Sequence, residues 1–173
     1  DSYVPKKIYV WAANRSLATV FLKCLGNVPD SRIINGLFTS CFLYGPEIPF
    51  KLRELTIKLP KDTIDLSEFT LAYDGATSTY SWAKAQLESD YPEKKYVICK
   101  DLSFALHGRL EYIPKGFQHT FLIRHPFKMF SSWKRTFAPL YLPETNIKTI
   151  KDIYFNGYYE YKELFDIFTY IQD

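Results

Sequence analysis

The sequence predicts an α/β fold, a three-layer sandwich with a central parallel sheet, and three observations carry that prediction. Short apolar runs, partly β-branched, stand at 8–12, 95–100 and 119–123. Each passes into a segment with helix-like spacing, and each has a basic residue at or just beyond its carboxyl end: Arg15, Lys100 and Arg124. Strands that alternate with helices pair in parallel, and ligands of such sheets bind beyond the strands' carboxyl ends. The three runs are therefore expected as neighbouring strands of one sheet, joined by crossovers of one hand.

The first junction is the most informative. Ile8, Val10, Trp11 and Ala12 form the strand, and from Ser16 onward Leu17, Val20, Phe21, Cys24 and Leu25 recur at helical intervals. A helix opening there directs unpaired backbone N–H groups and the positive end of its dipole out of the sheet edge, where an anion is the natural occupant. Arg15 adds a planar fork of donors, and Ser16 and Thr19 add hydroxyls. The same residues also suit an ordinary strand-turn-helix in which Asn14 or Ser16 caps the helix and Arg15 is solvated. Neither G-x-x-x-x-G-K-[ST] nor G-x-G-x-x-G is present.

Composition bounds the alternatives. A chain of 173 residues, 47% hydrophobic and 24% charged, is read as one globular domain over 1–173. Its net charge of +3 is too small to mark a nucleic-acid surface, so no nucleic-acid partner is expected. Three widely spaced cysteines, Cys24, Cys41 and Cys99, fit neither a disulfide framework nor paired zinc ligands, and Cys24 and Cys99 read as small core residues. A reducing, cytoplasmic location is the expectation, although an upstream leader or anchor is compatible with a chain beginning at Asp1. No stretch approaches the roughly 20 apolar residues of a membrane span.

The remaining segments follow in order. Residues 32–44 are apolar and aromatic, broken at Asn35-Gly36, and are expected as one or two buried segments beside the first strand. Residues 47–76, punctuated by Pro and Asp, read as a surface excursion. Helical spacing is read at 78–89 and, in a short run, at 103–111. Pro126 suits a first helical position, so a helix over 127–136 should follow the strand ending at Arg124-His125. A long amphipathic helix is read over 147–171, with Ile150, Ile153, Tyr154, Tyr158, Tyr161, Leu164, Phe165 and Phe168 on its apolar side.

Ser132 follows Arg124 by eight residues, about two helical turns into that helix, so one phosphate can touch both. Taken with the first junction, this spacing resembles the PAPS-dependent sulfotransferases, in particular the divergent family whose loop reads P-R-S-x-S-T and whose later motif reads I-R-H-P. FLYGPE and KYVICKDL resemble two further elements of that family, so the resemblance runs from about Ile8 to Trp133. It implies a P-loop-like nucleotide-binding fold, 3′-phosphoadenosine 5′-phosphosulfate as donor, no metal, and transfer of a sulfuryl group to a hydroxyl or amine of a small molecule or glycan. By resemblance, the 5′ group lies on Arg15, Ser16, Leu17, Ala18 and Thr19, and the 3′-phosphate on Arg124 and Ser132.

Two departures accompany the resemblance: Asn14 replaces the family's proline, and Ala18 replaces a hydroxyl residue. Members of the family also carry a further strand and helices beyond the point reached at Asp173, so the domain is expected to lack its C-terminal part. Arg15 and Lys100 are the cationic candidates for catalysis. Cytosolic relatives use a histidine two residues past the comparable lysine as base, and that position is Leu102 here. His107, Asp101 and Glu47 remain as base candidates, and His125 reads as a turn residue. A catalytically silent relative that binds nucleotide or a protein partner is the competing expectation, and a small nucleotide kinase is disfavoured by the absent Gly-Lys-Ser/Thr. The sequence leaves the oligomeric state and the acceptor open.

Overall fold

The structure, a computed structural model, describes residues 4–47, 78–141 and 150–172. Of the excursion read over 47–76, all but Glu47 therefore lies outside the described residues. Among the described residues four strands form one sheet, all parallel: β1 (Lys6–Ala12), β2 (Ser31–Asn35), β3 (Tyr96–Leu102) and β4 (Gln118–Leu122), in the order β2-β3-β1-β4. The runs expected at 8–12, 95–100 and 119–123 are the three neighbours β1, β3 and β4. The segment after Arg32 departs from expectation, because its strand β2 pairs with β3 and not with β1. Local apolar pattern identifies a strand but carries no information about which neighbour it takes.

Five helices accompany the sheet among the described residues: α1 (Ala18–Leu25), α2 (Leu37–Tyr44), α3 (Tyr80–Glu88), α4 (Pro126–Tyr141) and α5 (Ile150–Gln172). The helix-like run at 103–111 proves to be two 3-10 turns, Ser103–Leu106 and Leu110–Tyr112. Their backbone turns at His107 (φ 50°) and Gly108 (φ 77°), and two successive left-handed residues cannot continue a helix. Likewise α1 begins at Ala18 and not Ser16, because Leu17 is left-handed with φ 69°.

Alternation along the strands sorts the layers. Tyr9, Trp11, Ile34, Val97 and Cys99 join Phe38, Tyr80, Leu87, Leu106, Leu164 and Ile167 in the main core. On the opposite face lie Val10, Ala12 and Ile98, buried, and the inward residues of α1, Ala18 and Leu22. A right-handed crossover from β1 outward to β2 and one from β2 back to β3 run in opposite directions, so they cover opposite faces. The arrangement is consistent with three layers, and in sheets wound this way ligands bind where successive crossovers diverge, which in the order β2-β3-β1-β4 is at the carboxyl ends of β1 and β3.

Aromatic packing fixes the centre of the sheet. The rings of Tyr9 and Trp11, both fully buried, stack at 4.3 Å, and Trp11 Nε1–H donates to His119 Nδ1 at 3.1 Å. Burial lowers the pKa of His119, partly offset by a hydrogen bond to the Pro114 backbone. A base whose folded pKa is depressed binds fewer protons folded than unfolded, so its contribution is present above the ordinary imidazole range and lost as pH falls. The stability difference between the native chain and His119→Gln is accordingly expected to favour the native chain at pH 8 and to shrink below about pH 6.5. Thermal melts of the two proteins across pH check this, and a constant difference would contradict it.

Two helix assignments carry corrections. Cys24 is exposed, not a core residue, and with Val20 and Phe21 (58% and 42% exposed) it lies on a side of α1 turned from the sheet. On α5 the buried residues are Leu164 and Ile167, whereas Phe165 and Phe168, expected on the packed side, are 65% and 44% exposed. Cys99 is buried as expected. No described helix is long and apolar enough to cross a membrane.

Candidate functional site

The carboxyl end of β1 leads into a loop, Ala13 to Leu17, with an unusual backbone. Arg15 and Leu17 both have positive φ, 60° and 69°, and neither is glycine. Such residues cost about 1–2 kcal/mol each, a strain that persists only where the surroundings demand it. Left-handed residues within a turn align successive N–H groups around a concavity, the geometry that receives anions. α1 then starts with no side-chain cap. Ser16 is 5% exposed, and its Oγ is buried without a hydrogen-bond partner. A buried hydroxyl left unpaired calls for an occupant or a cost of about 1–3 kcal/mol.

The second junction arrives at the same loop. β4 ends at Leu122, and Pro126 is the first residue of α4, whose opening turn is closed by Lys128 N–H and Met129 N–H donating to the His125 carbonyl. That turn positions Arg124, and its NH1 donates to the Arg15 carbonyl at 2.9 Å. Two turns into α4, Ser132, 9% exposed, accepts from Arg15 Nε at 3.2 Å. Arg15 and the Arg124–Ser132 pair, more than a hundred residues apart in the chain, are thus one cluster. His125 holds the turn through its carbonyl, and its exposed ring stacks on Phe127.

Other expected residues fall elsewhere. Ala18 is buried on the inward side of α1 with Leu22, Thr19 is half-buried, and Leu17 is 57% exposed. Lys100 does not end its strand, because β3 continues to Leu102; it is 7% exposed and in register with Val10 and Asn35. Burial raises the pKa of the neighbouring Asp101, and the Lys100 charge is the smallest of the influences that oppose this, after the hydrogen bonds from Thr39 and Tyr9.

The base candidates are redistributed. Asp101 is fully buried and accepts from Tyr9 Oη (2.8 Å), Phe38 N (3.1 Å), Thr39 N (2.8 Å) and Thr39 Oγ1 (2.7 Å). It caps the first turn of α2 and ties that helix to β1. Glu47 Oε2 accepts from Tyr80 N at 2.7 Å and so serves the start of α3. Its neighbour Gly45 is required by packing, since a Cβ there would lie 2.3 Å from the Ser78 carbonyl oxygen. His107 closes the first 3-10 turn, exposed, its ring 5.6 Å from that of Phe42.

Two residues of the site were not anticipated, both on α5. The Glu160 carboxylate accepts from the Asn14 backbone N–H, and Tyr161 Oη donates to the Arg124 carbonyl. Burial raises the Glu160 carboxyl to about 7, with a smaller push from Glu163 and a contrary pull from the Asn14 amide. The signal was present: Glu160 precedes Leu164 and Ile167 by four and seven residues, which puts an acid on the buried stripe of a helix. Among the described residues no group of three or more His, Cys, Asp or Glu is placed to hold a metal ion. Comparison with protein-family models, with curated proteins and with solved structures found no match.

Proposed function

We propose that the crevice at the carboxyl end of β1 binds the phosphate groups of 3′-phosphoadenosine 5′-phosphosulfate, and that the chain is a PAPS-dependent sulfotransferase with a P-loop-like three-layer fold. The observation that carries this reading is the convergence of Arg124 and Ser132 on the strained loop at Arg15. An anion-receiving backbone, an unpaired buried Ser16 hydroxyl and two arginines at one sheet edge favour a ligand with more than one oxyanion. In the transfer an acceptor hydroxyl or amine attacks sulfur, the sulfur–oxygen bond to the 5′-phosphate breaks, and adenosine 3′,5′-bisphosphate leaves. Negative charge grows on the bridging oxygen as that bond breaks, so Arg15 and Lys100 act by neutralising it. Glu160, raised to about 7 and in contact with the loop, replaces Asp101 and Glu47 as the group to receive the acceptor proton.

A silent, ligand-binding relative is the second reading. It is favoured by the loop's internal contacts, since Glu160 already occupies the Asn14 amide and Arg15 already holds Ser132. Incubation with PAPS and a panel of phenols, alcohols and amines separates the two. Acceptor-dependent release of adenosine 3′,5′-bisphosphate, abolished by Arg15→Ala, is the result expected of the enzyme. Tight binding without release across the panel would assign the silent reading.

A further inference from the structure

The ladder of the sheet stops short of both phosphate subsites. Its last paired residues on β1 and β4 are Ala12 and Leu122, so Asn14 and Arg124, each two residues further on, take their positions from contacts outside the sheet. Two consecutive residues of α5 reach these ends: the Glu160 carboxylate accepts from the Asn14 N–H, and Tyr161 Oη donates to the Arg124 carbonyl. A third strand end holds that turn of α5 in place. Ser103, directly after β3 and 1% exposed, donates through Oγ to the Glu160 carbonyl at 3.1 Å. Leu164 and Ile167, one and two turns on, seat the helix in the main core, and the half-buried Tyr161 ring packs against that core. Burial, and the Glu160 charge beside it, push the Tyr161 pKa up, so the hydroxyl keeps its proton and donates.

We propose that Tyr161 is a positioning residue that sets the separation of the two phosphate subsites: it fixes the Arg124 peptide, and with it the guanidinium, relative to the Arg15 loop that the neighbouring Glu160 holds. The inference rests on the reading of this sheet edge as a site for two phosphate groups. A ligand that engages both subsites gains from the second contact only when their separation matches its own, whereas a ligand with one phosphate uses either subsite wherever it lies. The Tyr161 hydroxyl therefore acts on selectivity for the bisphosphate over either monophosphate. A hydroxyl that served only the fold of α5 would move all three ligands alike, or none.

The test is calorimetric titration of the native chain and of Tyr161→Phe with adenosine 3′,5′-bisphosphate, 5′-AMP and 3′-AMP. Phenylalanine keeps the ring and its packing and removes only the hydroxyl. The variant is expected to bind the bisphosphate roughly three- to tenfold more weakly, the range of one lost hydrogen bond, and each monophosphate within about twofold of the native chain. Retained 5′-AMP affinity shows that the variant is folded. Tyr170→Phe, on the same helix and 46% exposed, is the control and is expected to leave all three affinities unchanged. An unchanged bisphosphate affinity in Tyr161→Phe, a loss shared equally by the three ligands, or the same loss in Tyr170→Phe would each overturn the proposal. A native chain that binds the bisphosphate no more tightly than the monophosphates would instead remove the two-phosphate reading itself, and the inference with it.

Discussion

Asp101→Ala is expected to lower the unfolding free energy by about 3–5 kcal/mol, the range reached when a buried hydrogen-bond network is broken. Four donors converge on that carboxylate, from β1 and from the first turn of α2, and alanine leaves the Tyr9 hydroxyl, the Thr39 hydroxyl and two helix amides facing a void. The loss acts twice. It uncaps α2, and it removes the group that ties that helix to the centre of the sheet. Asp101→Asn keeps the shape and acceptor capacity on one side only, so it should cost less than alanine. Urea denaturation of the three proteins measures both differences, and a loss below about 1 kcal/mol for alanine would mean the network is dispensable.

The second large effect is expected in ligand binding. Arg124→Ala should weaken adenosine 3′,5′-bisphosphate by about 1.5–3 kcal/mol, or roughly ten- to 150-fold, while 5′-AMP changes much less, because only the former offers a 3′-phosphate. Ser132→Ala should act in the same direction by about 0.5–1.5 kcal/mol. The structure adds a complication that the spacing alone did not contain. Arg124 also supports the loop through the Arg15 carbonyl, and Ser132 accepts from Arg15 Nε, so each substitution disturbs the neighbouring subsite. Arg15→Ala is therefore expected to weaken both ligands. Losses that are equal for the two ligands in Arg124→Ala and Ser132→Ala would mean that the pair is structural.

What was legible in the sequence follows from the range of the forces involved. Strand and helix periods are local, and so β1, β3, β4 and the strand-to-helix turns at Arg15 and Arg124 could be read directly. The helix over Leu37–Tyr44 could not, because LFTSCFLY is apolar on nearly every side and shows no 3.6-residue period. The place of β2 beside β3 depends on which crossover packs over which face, a non-local matter. Cys24 and Phe165 have helical spacing yet face outward, and Phe168 packs only edge-on against Phe121, since an apolar residue on a helix records no neighbour. Asp101 and Glu47 read as chemistry for the same reason that they cap helices: a carboxylate near backbone N–H groups suits both uses. Glu160 was passed over because its partner, the Asn14 amide, lies 146 residues away.

The central claim is that the strained loop and the Arg124–Ser132 pair form one site for two phosphate groups. The measurement that tests it most directly is calorimetric titration of the native chain with adenosine 3′,5′-bisphosphate, set against 5′-AMP and ATP under the same conditions. Binding of the bisphosphate at least about tenfold tighter than either competitor, worth some 1.4 kcal/mol, is the predicted result. Equal affinities for all three, or no binding of any, would contradict it.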